Sequence, residues 1–194
     1  MAPIIDPGNG LIYMKVGTHA QEPLEAIIAR KTREIEEAGY ALWGYGGGTC
    51  HPTTMVQPFA RDFYRRGGKI YLCMQPMVSK HFAEPIRATH YSIDGVKWET
   101  VPKAVNCVGS RYALVITDLR TDDFDLELDR TRVAIGHSVG RTGSAYIGGR
   151  VDKACLEVVV GGNSREADHA SKATVHIGLV ATVSEPFAVF VRSA

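Results

Sequence analysis

The hydrophobic pattern of this chain changes its period near residue 69, and this change restricts the fold more than any other feature. In residues 18–66 apolar side chains recur at the spacing typical of helices that bury one face. From Lys69 onward, short runs alternate between apolar and polar residues, which predicts strands. The pattern therefore predicts an α+β fold, with two N-terminal helices packed on a curled mixed β-sheet or barrel. We expect one domain over residues 1–194.

The first elements have local start and stop signals. Residues 11–16 are rich in strand-forming side chains and predict a strand. A helix is predicted over residues 18–38, because Thr18 and Gln21 have the spacing of a capping box and Gly39 follows the apolar periodicity. The predicted apolar face, which Lys31 interrupts, consists of Leu24, Ile27, Ile28 and Ile35.

A second strand, residues 40–45, precedes a glycine-rich loop and a shorter helix that ends at Arg66. This helix begins either at Pro58 or earlier, behind a capping box of Thr54 and Gln57 with the proline inside the first turn. The side chains predicted to face inward are Phe59, Phe63 and, as a third candidate, Tyr64.

Turn residues divide the strand-rich part of the chain. Asp94-Gly95 lies between two alternating runs and predicts a hairpin with a type I′ turn. Two terminal strands are predicted at residues 174–183 and 187–191, separated at Glu185-Pro186. A second glycine-rich segment, residues 136–150, is interpreted as a loop.

Composition excludes several classes of protein. The chain has 45% hydrophobic and 22% charged residues and a formal charge of +1, which argues against a disordered chain and against a strongly basic binder of long duplexes. The N-terminal sequence lacks a signal peptide and no run is long enough to span a membrane, so we expect a cytoplasmic protein without a membrane partner. The four cysteines have neither disulfide-framework nor zinc spacing, so we expect free thiols.

The glycine-rich loop after residue 45 is the strongest candidate for a binding site. Its bare backbone precedes a helix N-terminus, where a phosphate, a carboxylate or a flat ring can be bound. Trp43 and Tyr45 are separated by one residue, so both rings lie on the same face of a strand, either in a pocket or in the core. The loop residues predicted to contact a ligand are Gly46, Gly47, Gly48 and Thr49.

Two further candidates carry chemistry of their own. Cys50 precedes a helix N-terminus and is a candidate nucleophile, with His51 or His19 as its base; the alternative is a structural or ligand-contacting thiol. Arg141 stands between glycines with hydroxyl groups nearby, which is consistent either with an anion contact or with a solvated turn. No metal-ligand spacing and no cofactor motif is found, so we expect neither.

The order of elements, with a tryptophan on the second strand, resembles the PUA-like superfamily, in particular its YTH and EVE members, which recognise modified bases. The resemblance covers residues 10–135 and leaves residues 136–194 as an elaboration. It implies that residues 17–19, which include Thr18 and His19, form an aromatic pocket together with residues 43–45. Trp98 or Tyr71 is a candidate for a further wall of that pocket.

These observations leave three hypotheses about function. The first is a binding module that captures a nucleotide or a modified base, alone or in a short single-stranded nucleic acid, by stacking on Trp43 or Tyr45. The second is a hydrolase or transferase that acts on a nucleotide-like substrate through Cys50 or a histidine. The third is a protein-interaction module.

Overall fold

The computed structural model describes residues 3–45, 52–81, 84–148, 151–160 and 173–194. Within these ranges lie three α-helices, one 3-10 turn and ten strands. The helices are α1 (Leu24–Ala38), α2 (Thr53–Arg65) and α3 (Gly143–Gly148), and the 3-10 turn is Leu128–Arg130. The strands are β1 (Gly10–His19), β2 (Ala41–Gly44), β3 (Ile70–His81), β4 (His90–Ser92), β5 (Glu99–Thr100), β6 (Tyr112–Ile116), β7 (Arg120–Glu127), β8 (Thr131–Val133), β9 (Lys153–Val158) and β10 (Thr174–Arg192).

All ten strands belong to one mixed sheet. Seven of them follow the order β2-β6-β10-β3-β1-β9-β8, while β4 and β7 also pair with β10 and β5 pairs with β4. The pair β1–β3 is parallel and the other pairs are antiparallel. The prediction of an α+β fold with a mixed sheet is therefore confirmed. The barrel alternative is not supported, because the sheet is not closed.

The core lies on both faces of the sheet, as the alternation of side chains along β1 shows. Ile12 faces α1 and α2 and packs in a cluster with Ile27 and Phe63, whereas Leu11 and Tyr13 lie in a second cluster on the opposite face. In the described residues, none of the helices combines the length and the apolar character that crossing a bilayer requires. Three cysteines are described, and each is a free, buried thiol: Cys73, Cys107 and Cys155.

The first helix is shorter than the sequence predicts. It begins at Leu24, because β1 continues to His19 and keeps Thr18 in its ladder with β3. The predicted capping box of Thr18 and Gln21 is therefore wrong, and Pro23 precedes the helix without a side-chain cap. The predicted end is confirmed: Gly39 adopts the left-handed conformation, with a φ of 82°, and its N–H bonds to the last turn.

The second helix starts earlier than either predicted alternative. It runs from Thr53, so Pro58 lies inside it rather than at its first residue. The Gln57 amide does not cap the helix; it donates hydrogen bonds to the carbonyl oxygens of Ile93 and Ala188. The inward positions Phe59 and Phe63 are confirmed, and the prediction for Tyr64 is wrong, since it is 55% exposed.

The type I′ hairpin prediction is wrong. β4 and β5 do pair, but the register joins Tyr91 to Glu99, so residues 93–98 form a longer loop. Asp94 organises this loop because its Oδ1 accepts hydrogen bonds from the N–H groups of Val96 and Lys97. Hydrogen bonds to the ionised carboxylate lower the pKa of Asp94.

The two predicted terminal strands are one strand, β10. Its pairing with β6 shifts register between Val183 and Ala188, and the Glu185–Pro186 peptide within this interval is cis. The glycine-rich segment after residue 136 also differs from the prediction, because it contains the short helix α3.

Candidate functional site

A cavity of about 380 Å³ lies between α1 and the sheet, at the end of β1 and beside β2. β1 and β2 are four places apart in the strand order, yet residues of both line this cavity, so the sheet curls around it without closing. Most of its apolar wall comes from the sheet and α1, namely Met14, Val16, Leu24, Ile27, Leu42, Trp43 and Met77. Its polar wall includes Lys15, Thr18, His19, Arg30, Lys31, Asn106, Asp152 and Lys153.

The two aromatic rings that the sequence singles out have different surroundings. Trp43 lines the cavity, although it is only 5% exposed, so a ligand meets a limited part of its ring. Tyr45 is 2% exposed and does not line the cavity; its hydroxyl lies 3.9 Å from Cys155 Sγ, and the Lys153 ammonium lies 5.6 Å from its ring centroid. Both rings belong to the same core cluster, and only Trp43 reaches the cavity.

One edge of β2 borders the cavity. The N–H of Tyr45 bonds to Tyr112 O, on the side of β6. The backbone N–H and C=O groups of successive residues point to opposite edges of an antiparallel strand, so those of Leu42 and Gly44 point to the other edge of β2. Among the described strands β2 pairs only with β6, so that edge makes no ladder hydrogen bonds. Leu42 and Gly44 both line the cavity.

β1 ends beside the same cavity. The N–H of Lys15 bonds to Asp152 O, on the side of β9, and the ladder with β9 begins only at the pair of Met14 with Lys153. The pairing of β1 with β3 shifts register between Val16 and Thr18, so backbone groups do not alternate regularly at Gly17, which lies between these two residues and lines the cavity.

A buried charge cluster lies at the α1 wall. Lys31 and Glu34 side chains are each 3% exposed, and their Nζ and Oε2 atoms are 3.0 Å apart. Arg30 donates to Glu34 at 2.9 Å and forms a two-bond contact with the Glu22 carboxylate. The hydrogen bond from Arg30 lowers the pKa of Glu22, and burial lowers the pKa of Lys31.

The cluster holds the opposite wall, residues 106–109, against α1. The Asn106 carbonyl oxygen accepts hydrogen bonds from Arg30 Nη1 at 2.7 Å and from Lys31 Nζ. His19 Nε2 lies 3.1 Å from Val108 O, and because a carbonyl oxygen only accepts, Nε2 carries the proton in this bond. This segment is thus fixed to both α1 and β1.

Two side chains of the polar wall have unused hydrogen-bonding groups. Asn106 Oδ1 is buried and has no hydrogen-bond partner, and the Thr18 hydroxyl makes no hydrogen bond within the described part of the chain. Thr18 is partly exposed at the cavity wall, so its hydroxyl is available to pair with a ligand or with water, whereas Asn106 Oδ1 has almost no accessible surface. Cys107 also lines the cavity, but burial raises the pKa of its thiol, which disfavours the nucleophilic thiolate.

The structure brings together part of the predicted site. Thr18, His19 and Trp43 line one cavity, as does Gly44, whereas Arg141 is exposed on the turn before α3 and does not line it. Trp98 and Tyr71 do not line it either. Six predicted residues lie outside the described ranges: Gly46, Gly47, Gly48, Thr49, Cys50 and His51.

Sequence reasoning missed the residues of the polar wall other than Thr18 and His19. One feature of the sequence pointed to the wall formed by Arg30 and Lys31, because Lys31 interrupts an otherwise apolar helix face. No such feature pointed to Asn106, because its role depends on its distance from α1 in space. In the described part of the chain, no group of three or more His, Cys, Asp or Glu side chains is placed to hold a metal ion.

Comparisons with known proteins identified no matching family model, no significantly similar curated protein and no significantly similar solved structure. Arguments about function therefore rest on the chemistry of the cavity.

Proposed function

We propose that this protein is a binding module that captures a nucleotide or a modified base in the cavity between α1, β1 and β2. The observation that carries the proposal is the outer edge of β2, where Leu42 and Gly44 make no ladder hydrogen bond with a described strand and line one cavity together with Trp43. A planar heterocycle with donors and acceptors on its rim matches a cavity with apolar faces and main-chain hydrogen-bonding groups at its sides.

The size and the polar groups of the cavity support a small ligand. Its volume of about 380 Å³ is at the lower end of the roughly 300–1,000 Å³ typical of ligand pockets. The Thr18 hydroxyl supplies a side-chain hydrogen bond, and a site built on such bonds rejects ligands that lack the matching groups. Tyr45 does not enter the proposal as a stacking surface, because its ring is buried away from the cavity.

The same arrangement supports a relationship to the PUA-like superfamily. In the proposed relationship the end of β1, the helix that follows it and the tryptophan-bearing β2 enclose the ligand, as the resemblance of the sequence implies. The open sheet differs from a closed barrel, since its strand order runs from β2 to β8 and these two end strands do not pair with each other.

Isothermal titration calorimetry with nucleobases, nucleosides and nucleoside monophosphates tests the proposal. We expect at least one of them to bind, and amide chemical shifts to change at Gly17, Leu42 and Gly44 on titration. Thr18→Val keeps the strand-forming shape of the side chain and removes the hydroxyl, so it should weaken binding by about 1 to 3 kcal/mol if that group pairs with the ligand.

Thr121→Val is the matched control, because Thr121 is an exposed strand residue on β7 that does not line the cavity. It should leave the affinity unchanged. If no member of the set binds, or if the shift changes lie away from the cavity, the proposed function is wrong. Analysis of the titrated ligands for chemical change tests the hydrolase or transferase alternative, in which His19 is the catalytic candidate within the described residues.

A further inference from the structure

A second, more open hollow of about 940 Å³ adjoins the cavity. Gly109 and Lys153 line both, so the two spaces meet at these residues. We call the hollow the aromatic-basic groove and define it by its six principal side chains: Trp98, Arg111, Tyr112, Lys153, Phe190 and Arg192. The site described above does not use five of these six.

The groove carries an excess of positive charge. Three of its lining residues are cationic, Arg111, Lys153 and Arg192, and one is anionic, Glu84. The exposed Arg111 side chain makes no hydrogen bond or ion pair within the described part of the chain. The Arg192 guanidinium lies 3.9 Å from the centroid of the Trp98 ring, and a guanidinium stacked in this way keeps the N–H groups at its rim available for an anion.

Aromatic side chains line the groove together with these cations. Trp98 and Phe190 are partly exposed, and Phe190 makes an edge-to-face contact with Tyr112, with ring centroids 5.6 Å apart. Partly exposed rings beside arginines offer a surface on which bases stack, while the cations contact the phosphates between them.

We propose that the aromatic-basic groove binds the chain of a single-stranded nucleic acid whose neighbouring base occupies the cavity. This inference rests on the proposed function, since the cavity supplies the base site. Charge complementarity and the continuity of the two spaces at Lys153 argue for a linked, polyanionic occupant. The groove is more than twice as large as the cavity, so a mononucleotide seated in the cavity leaves it unfilled.

The test uses fluorescence anisotropy with a labelled single-stranded RNA, and the DNA of the same sequence, of about eight nucleotides, within the range that one small binding domain covers. Arg111→Gln and Arg192→Gln, combined, should weaken binding of the strand on the order of tenfold. Each lost phosphate contact should also reduce the slope of log K against log salt concentration by about 0.7. Binding of the free nucleoside monophosphate should not change.

Arg65→Gln provides the matched control, since Arg65 is an exposed arginine at the end of α2, outside the groove. It should not alter binding of the strand. Equal affinity of the Arg111/Arg192 double variant and the unmodified protein for both strands overturns the proposal. Displacement of the strand by an acidic peptide at equal charge concentration also overturns it, because the groove would then select charge alone.

Failure of the proposed function gives a different result. In that case no mononucleotide binds and Thr18→Val has no effect on the strand, whatever the arginine variants do. A third result separates the two proposals: mononucleotides bind, Thr18→Val weakens their binding, and the strand binds no more tightly than they do. That result supports the base site in the cavity and contradicts the groove proposal.

Discussion

Glu34 is the residue whose removal should most damage the wall of the cavity. Its carboxylate is 3% exposed and accepts hydrogen bonds from both Lys31 and Arg30. Glu34→Ala leaves the Lys31 ammonium buried, with the Asn106 carbonyl oxygen as its one remaining hydrogen-bond partner among the described residues. Removing one member of a buried ion pair costs about 3–5 kcal/mol, which for a chain of this length corresponds to a fall in Tm of about 6–20 °C.

Removing the lysine of this pair instead of the glutamate should destabilise the protein less. Lys31→Met places an apolar side chain of similar length in the helix face, and Glu34 keeps Arg30 as its partner. The Lys31→Met/Glu34→Leu double variant removes both charges and should lie within about 1 kcal/mol of the unmodified protein. The order of stability is therefore a sharper test than any single value.

Urea denaturation followed by circular dichroism measures these differences in a double-mutant cycle. Asp62→Ala is the control, because Asp62 and Arg66 form an ion pair of similar length, 2.7 Å, that is exposed on α2. It should cost no more than about 1 kcal/mol. If Glu34→Ala is no more destabilising than Asp62→Ala, the argument that α1 carries a tightly paired buried charge is refuted.

Three other outcomes are expected. All four cysteines should react with a thiol reagent after denaturation, and in the folded protein at pH 8 three should be protected, because burial raises their pKa values: Cys73, Cys107 and Cys155. Arg30 lowers the pKa of Glu22 in the folded protein, so on acidification Glu22 is protonated in the unfolded chain first. The contribution of this ion pair to stability is therefore lost as pH falls below about 4.5. The decrease in Tm between pH 6 and pH 3 should be smaller in an Arg30→Met variant than in the unmodified protein. Gly68→Ala should unfold the protein at much lower urea than Gly39→Ala, since a Cβ at Gly68 would lie 1.8 Å from Gly8 O, whereas Gly39 has open space and only the strain of its left-handed backbone.

Local signals predicted elements well where the chain itself sets the boundary. Gly39 ends α1 as expected, because a glycine that adopts a positive φ is a local property. The predicted start of α1 was wrong because Thr18 lies in a ladder with β3, more than fifty residues away in sequence. That pairing outweighs the local preference that the capping-box spacing indicates. The prediction of a type I′ turn at Asp94-Gly95 was wrong for a similar reason, since β4 pairs with β10 as well as with β5 and both pairings determine its register.

The candidate site was predictable in part. The resemblance to the PUA-like superfamily implied one pocket for Trp43 and Thr18, and both residues line the cavity. The place of Asn106 in the site could not be predicted, since hydrogen bonds from Arg30 and Lys31 hold it beside the cavity and no sequence spacing encodes them. The difference between Trp43 and Tyr45 was also hidden, because alternation gives the face of a strand but not how far the cavity extends along it.

The long strand β10 has a consequence for how the chain folds as it is made. It pairs with β3, β4, β6 and β7, all of which are synthesised before it. On the ribosome these four strands leave their hydrogen-bonding edges and apolar faces uncovered until residues 174–192 emerge, so the sheet forms late and through contacts distant in sequence. During that interval the nascent chain is open to wrong strand pairing, and shielding by a chaperone should matter more for its yield in the cell than the stability of the finished domain.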